Sequence, residues 1–140
     1  MQSLTIDWLT KLNVYNDYNK MNSIKLAIHG GATLTATLVD NSSTRALKEL
    51  LSKNDITINM SDYARMEKVG SLGTSLPRND QQITTEAGDL ILYQGNSFVI
   101  YYAPNSWNFT RLGKIDNMTQ AELISALGSG NVTVTLSLNQ

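Results

Sequence analysis

Arg111 is the side chain whose neighbours give it the clearest chemical use. It stands in the segment Phe109-Thr110-Arg111-Leu112-Gly113, in register with Phe109 and Gly113 if that segment is a strand, since alternate strand residues share a face. A guanidinium over an aromatic ring, beside Tyr93, Tyr101, Tyr102 and Trp107, would make a concave site for a backbone carbonyl and a ring. The plainer alternative is that Arg111 faces solvent while Tyr101 and Trp107 belong to the core or its rim. Other chemistries find less support. Glu67 and Asp80 have no second carboxylate beside them in a recognisable acid–base motif and read as solvated loop charges. Gly70-Ser71-Leu72-Gly73 and Gly128-Ser129-Gly130 read as turns, because neither joins a strand to a helix as a phosphate cradle does and no Gly-Lys-Ser/Thr follows. His29 falls at a strand end beside a glycine turn, which suits a structural or exposed role.

Composition narrows the field further. The 140 residues hold no cysteine and one histidine, which excludes disulfides, thiolate nucleophiles, iron–sulfur ligation and multi-histidine metal sites. No metal and no cofactor are therefore expected. Eleven Lys plus Arg against twelve Asp plus Glu leave a formal charge of -1, so no basic excess exists to attract nucleic acid or an anionic membrane surface. Hydrophobic residues at 41% suffice for a folded core, and the length suits one domain. Five Asn-x-Ser/Thr triplets, starting at Asn41, Asn59, Asn108, Asn117 and Asn131, are what a chain rich in Asn, Ser and Thr produces by chance.

The elements that must position these residues follow from periodicity. Ile24, Leu26 and Ile28 alternate with polar or small residues, Gly30-Gly31 marks a hairpin turn, and Leu34, Ala36 and Leu38 form the next apolar face. Asp40 to Thr44 starts a helix with Ala46, Leu47, Leu50 and Leu51 on one side, ending near Asn54. Ile56, Ile58 and Met60 mark a third strand, after which residues 61–87 read as a long irregular segment carrying Tyr63, Arg65, Glu67, Lys68, Arg78 and Asp80. Strands are expected at 90–93, 97–102 and 109–115, with a loop at 105–108. A second helix is capped by Thr119 with Glu122, and Val132 to Leu138 is the last strand. Short strands joined by turns with only two helices predict a mainly β fold, a closed antiparallel barrel of about eight strands. Residues 22–140 are read as the barrel domain and 1–21 as an N-terminal extension in which Trp8, Leu12 and Tyr15 stand at helical spacing. Self-association through residues 1–20 is one expectation for that extension. With neither a signal peptide nor an apolar span, the sequence as given reads as cytoplasmic, or as exported if an N-terminal signal has been removed.

The order of these elements resembles a cyclophilin: two strands and a helix at the start, then a strand, a helix and a final strand at the end. More closely, Leu38-Val39-Asp40-Asn41, Met60-Ser61-Asp62-Tyr63, Glu67-Lys68, Ser75-Leu76-Pro77, Ala87-Gly88-Asp89 and Arg111-Leu112-Gly113-Lys114-Ile115 are similar to small bacterial cyclophilin-like domains. The resemblance covers roughly residues 22–138 and implies a cyclophilin-like barrel. In a working cyclophilin a strand arginine stabilises the twisted prolyl amide, lowering a barrier of about 18–20 kcal/mol. The corresponding strand here, Ile56 to Met60, has no arginine, and Asn59 and Met60 are its nearest functional candidates. Phe109 stands where the family places a pocket histidine. The catalytic set therefore does not carry over. The expected function is binding of a peptide or small molecule in a barrel-side pocket, with Met60, Tyr63, Arg78 and Tyr93 on one part and Tyr102, Trp107, Phe109 and Arg111 on the other. The rival is a peptidyl-prolyl isomerase in which Arg65, Arg78 or Arg111 replaces the missing arginine.

Overall fold

A computed structural model describes residues 9–11 and 22–139 of the chain. Residues 9–11 are helical, with Leu9 exposed, whereas Trp8, Leu12 and Tyr15 lie outside the described residues. From Asn22 onward the described chain forms nine strands and two longer helices. They are β1 (Ser23–Ile28), β2 (Thr33–Leu38), α1 (Ser42–Lys53), β3 (Ile56–Tyr63), β4 (Glu67–Ser71) and β5 (Gln81–Thr84). After these come β6 (Asp89–Tyr93), β7 (Ser97–Tyr101), β8 (Ser106–Ile115), α2 (Gln120–Leu127) and β9 (Val132–Leu138). Every strand pair is antiparallel, and the order β2-β1-β9-β3-β4-β7-β6-β8 closes where β2 meets β8, giving an eight-stranded barrel. The ninth strand, β5, pairs with the first half of β8 outside the ring.

Alternation decides which side chains enter the barrel. Ile24, Leu26 and Ile28 of β1, Leu90 and Leu92 of β6, and Val134 and Leu136 of β9 are buried in one interior cluster. Leu47 and Leu51 of α1 and Leu123 and Leu127 of α2 complete it, each stabilising the fold by about 1.5–3 kcal/mol on burial. Both helices start at capping boxes: Asn41 with Thr44, and Thr119 with Glu122. The seam between β2 and β8 requires glycine, because a Cβ on Gly113 would lie 2.3 Å from the carbonyl oxygen of Thr37. Among the described residues no helix is long and apolar enough to cross a membrane.

Two features departed from the periodicity and both matter for the site. The segment 61–87 is not uniformly irregular, since it contains the end of β3, all of β4 and all of β5. Strand β8 starts at Ser106 rather than after a loop, so Trp107 is a strand residue. Opposite β6 it carries a bulge: Leu90 faces Gly113 and Ile91 faces Arg111, leaving Leu112 as the extra residue. Such a bulge bends its strand, and here the first half of β8 pairs with β5 while the second pairs with β6 and β2. Outside the barrel this produces a second, smaller cluster of Ile91, Val99, Tyr101 and Phe109, with Val69, Ile83 and Tyr93 packed on it.

Candidate functional site

The open side of that second cluster is a cavity of about 470 Å³ on the barrel's outer face. Tyr63, Met66, Glu67 and Val69 from the β3–β4 hairpin form one wall. Tyr93 of β6, Tyr101 of β7, Asn105 and the β8 pair Trp107 and Phe109 form the rest. Period-two geometry places Trp107 and Phe109 on one face, and likewise Glu67 and Val69. Phe109 is the hub: its ring centroid lies 5.5 Å from that of Tyr101 and 6.2 Å from that of Tyr93, the latter edge-on. These are favourable aromatic separations. The rim is accessible, with Tyr63 and Trp107 about 60% exposed.

The hairpin that carries Tyr63 and Met66 holds two non-glycine residues at positive φ, Ala64 at 54° and Arg65 at 56°. L residues occupy that region at a cost of about 1–2 kcal/mol each. The amide of Met66 closes the turn onto the carbonyl of Tyr63 at 3.1 Å. Strained backbone thus sits directly between two lining side chains.

Glu67 supplies the cavity's charge. It is 7% exposed, and its Oε1 accepts a hydrogen bond from the Tyr101 hydroxyl at 3.1 Å. That hydroxyl in turn accepts from Nδ2 of Asn105 at 3.2 Å. Burial pushes the Glu67 carboxyl above the usual glutamate range, opposed by the Tyr101 hydrogen bond and assisted by the negative charge of Asp62. Burial likewise raises the Tyr101 phenol, which stays protonated through the neutral range. No Lys, Arg or His lines the cavity among the described residues.

Of the eight side chains expected at a pocket, the structure brings four together here: Tyr63, Tyr93, Trp107 and Phe109. The other four lie elsewhere. Met60 points into the barrel and is buried in the interior cluster, because β3 alternates and Tyr63 lies near its end. Arg78 donates to Asp80 through Nε at 2.8 Å and Nη2 at 2.5 Å. Arg111 is on the outer face but its Nη1 is 2.8 Å from the buried carboxylate of Asp89. Tyr102 follows the end of β7 and donates to Asp62, and desolvation together with that bond raises its hydroxyl to about 12. Asp62, held below its usual range chiefly by Tyr102 and then by Lys68, belongs with Arg65 and Tyr102 to a separate hollow beside α2. None of the three arginines proposed as a replacement for the prolyl-isomerase arginine lines the aromatic cavity.

Glu67 is not the solvated loop charge expected, whereas Asp80 is an exposed residue of the loop before β5, as expected. Glu67 is a buried strand residue, and Asp80 accepts from the Thr110 hydroxyl at 2.7 Å, a bond that with Arg78 holds its carboxyl below the usual range. Met66, Glu67, Val69 and Asn105 were missed as lining residues, and of two adjacent tyrosines it is Tyr101 that faces the cavity. The alternation Tyr63-x-x-x-Glu67-x-Val69 across a tight hairpin was the available signal. His29 is exposed at the end of β1, its Nε2 2.9 Å from the Thr135 hydroxyl. Among the described residues no three His, Cys, Asp or Glu side chains converge as metal ligands.

A closed eight-stranded antiparallel barrel with α1 after the first hairpin, α2 before the last strand and an aromatic cavity on the outer wall defines the class. The Cyclophilin-like family model matches residues 27–137, and the chain belongs to that family. Among solved structures, the solution structure of the hypothetical protein AF2241 from Archaeoglobus fulgidus is similar with a TM-score of 0.60 at 12% identity, covering 83% of this chain and 93% of that one. The structure of McbB in complex with tryptophan is similar with a TM-score of 0.55 at 16% identity, covering 81% of this chain but 44% of McbB. At these identities the likeness is one of fold. No curated protein sequence matches significantly.

Proposed function

We propose that this cyclophilin-like barrel is a binding module that holds a peptide side chain or a small molecule in the outer-face cavity. The observation that carries the reading is the convergence of Tyr63, Tyr93, Tyr101, Trp107 and Phe109 around a single buried carboxylate. Concave, mostly apolar sites with a few placed polar groups are the usual form of ligand pockets. Catalysis of prolyl isomerisation is not part of the proposal, because the arginine that would act on the amide is absent from the lining and Arg111 is committed to Asp89.

Amide NMR of labelled protein with a fragment set and a Xaa-Pro peptide panel tests this. Binding should shift Glu67, Tyr93, Tyr101 and the Trp107 indole, and Trp107→Ala should weaken it about tenfold, as loss of an aromatic anchor does. Exchange spectra on the same peptides should show no accelerated cis–trans interconversion, which unaided takes tens of seconds or longer. Ligands that shift the hollow around Asp62 and Tyr102 instead, or peptides whose exchange is accelerated, would overturn the proposal.

A further inference from the structure

The direction of hydrogen bonding inside the cavity says what its ligand must offer. An ionised carboxylate only accepts, so the chain runs one way: Asn105 Nδ2 donates to the Tyr101 oxygen, and the Tyr101 hydroxyl donates to Glu67 Oε1. The Tyr101 hydroxyl hydrogen and one of the two N–H groups of Asn105 Nδ2 are thereby engaged. Glu67 Oε2 has no donor among the described residues, yet no buried side-chain oxygen is left without a partner, so this oxygen is open to the cavity that Glu67 lines. The side-chain oxygen Oδ1 of Asn105, a lining residue, is a further acceptor to which no described group donates, whereas the Asn105 backbone carbonyl is taken by the Thr85 amide at 2.8 Å. The lining presents one negative charge with an open carboxylate oxygen, the faces of aromatic rings and, as neutral polar groups, the Tyr63 and Tyr93 hydroxyls, the Trp107 indole N–H and the Asn105 amide. Its surroundings add no cation: Lys68 is held by Asp62 at 3.1 Å and by the Gly130 carbonyl at 2.7 Å, and Arg65 lines the separate hollow.

Building on the reading of this cavity as the ligand site, we infer that its ligand carries a protonated primary or secondary amine. The ammonium sits on Glu67 Oε2 with its N–H groups directed at the open acceptors, and its alkyl stem lies among Tyr63, Tyr93 and Trp107. A cation satisfies three features at once. It neutralises a carboxylate that burial disfavours, it supplies the missing donors, and it is attracted to ring faces. An anionic ligand would meet Glu67 with nothing to offset it. A neutral apolar ligand would leave Oε2 desolvated and unpaired.

Three ligands of one shape decide the matter: n-butylammonium, n-butanol and butyrate, titrated at pH 7 with the amides of Glu67, Tyr101 and the Trp107 indole as reporters. Butylammonium should bind at least about tenfold more tightly than butanol, a preference of about 1.4 kcal/mol, with butyrate weakest. Tetramethylammonium, a cation without N–H donors, should bind less tightly than butylammonium. In Glu67→Gln the preference over butanol should shrink to about twofold or less while butanol itself is retained. Equal or tighter binding of butanol, butyrate or tetramethylammonium at these same reporters overturns the inference and leaves the cavity as a ligand site. Shifts confined to other regions, or none with any probe, overturn both. The wild-type comparison decides even if the Gln variant does not fold.

Discussion

Replacing Tyr101 by Phe keeps the ring against Phe109 and removes one oxygen. That oxygen donates to Glu67 Oε1 at 3.1 Å and accepts from Asn105 at 3.2 Å. A hydrogen bond to a charged group contributes about 1.5–3 kcal/mol, and one between neutral groups about 0.5–1.5 kcal/mol. The loss should therefore depend on whether Glu67 is ionised. The folded carboxyl is already raised above its unfolded value by burial, and the Tyr101 bond is what opposes the rise. For an acid raised in this way the native state holds the proton more tightly, so stability is highest below the unfolded value near pH 4.3 and falls as pH rises through the folded one. Tyr101→Phe raises the folded value further and steepens that fall. Urea unfolding followed by circular dichroism should show a cost of about 2 kcal/mol at pH 7 and about 1 kcal/mol at pH 4. An equal cost at both pH values, or a larger one at pH 4, would refute the assignment of this bond to a charged Glu67.

Arg111→Ala should cost about 2–4 kcal/mol, because it strands the buried Asp89 carboxylate; unchanged stability in the same urea assay would contradict the structural role given to the pair. Gly113→Ala should lower stability by about 1–3 kcal/mol or more, since its Cβ would collide with the Thr37 carbonyl at the barrel seam; a melting temperature equal to wild type would show that the seam relaxes. Ala64→Asn with Arg65→Gly should stabilise the protein by about 1–2 kcal/mol, by giving the two positive-φ positions residues that tolerate them. A destabilised double variant would mean that the native side chains contribute more than their backbone strain costs.

The barrel was legible because its strands alternate cleanly. Ile24-x-Leu26-x-Ile28 and Val132-x-Val134-x-Leu136-x-Leu138 state their inward faces in sequence, and Thr119 with Glu122 states a helix start. Strands β4 and β5 were not legible. The sequence of β4, Glu67-Lys68-Val69-Gly70-Ser71, puts two charges in buried positions that only tertiary partners make tolerable: Tyr101 for Glu67, Asp62 and the Gly130 carbonyl for Lys68. Strand β5 is four residues, Gln81–Thr84, held by pairing with β8 rather than by its own apolar pattern.

The site was half legible for a related reason. Trp107 and Phe109 declare a shared face by spacing, but whether Tyr101 or Tyr102 faces the cavity depends on where β7 ends, which is a property of its neighbours. Arg111 attracted a functional reading because its aromatic neighbours adjoin it in sequence. Its partner Asp89 lies on another strand, two residues from Ile91, the residue that faces Arg111 across the bulge at Leu112. Glu67 was set aside for the converse reason, since its phenol partner Tyr101 is 34 residues away.

The most direct test of the account is to ask which methionine senses a bound ligand. Met66 lines the outer-face cavity and Met60 is sealed in the barrel interior. With [¹³C-methyl]methionine-labelled protein titrated with n-butylammonium, the Met66 methyl signal should move in a saturable way while that of Met60 stays fixed. Movement of Met60 with Met66 unchanged, or no saturable movement of Met66 with any amine, would contradict the claim that this cavity is where the protein binds its ligand.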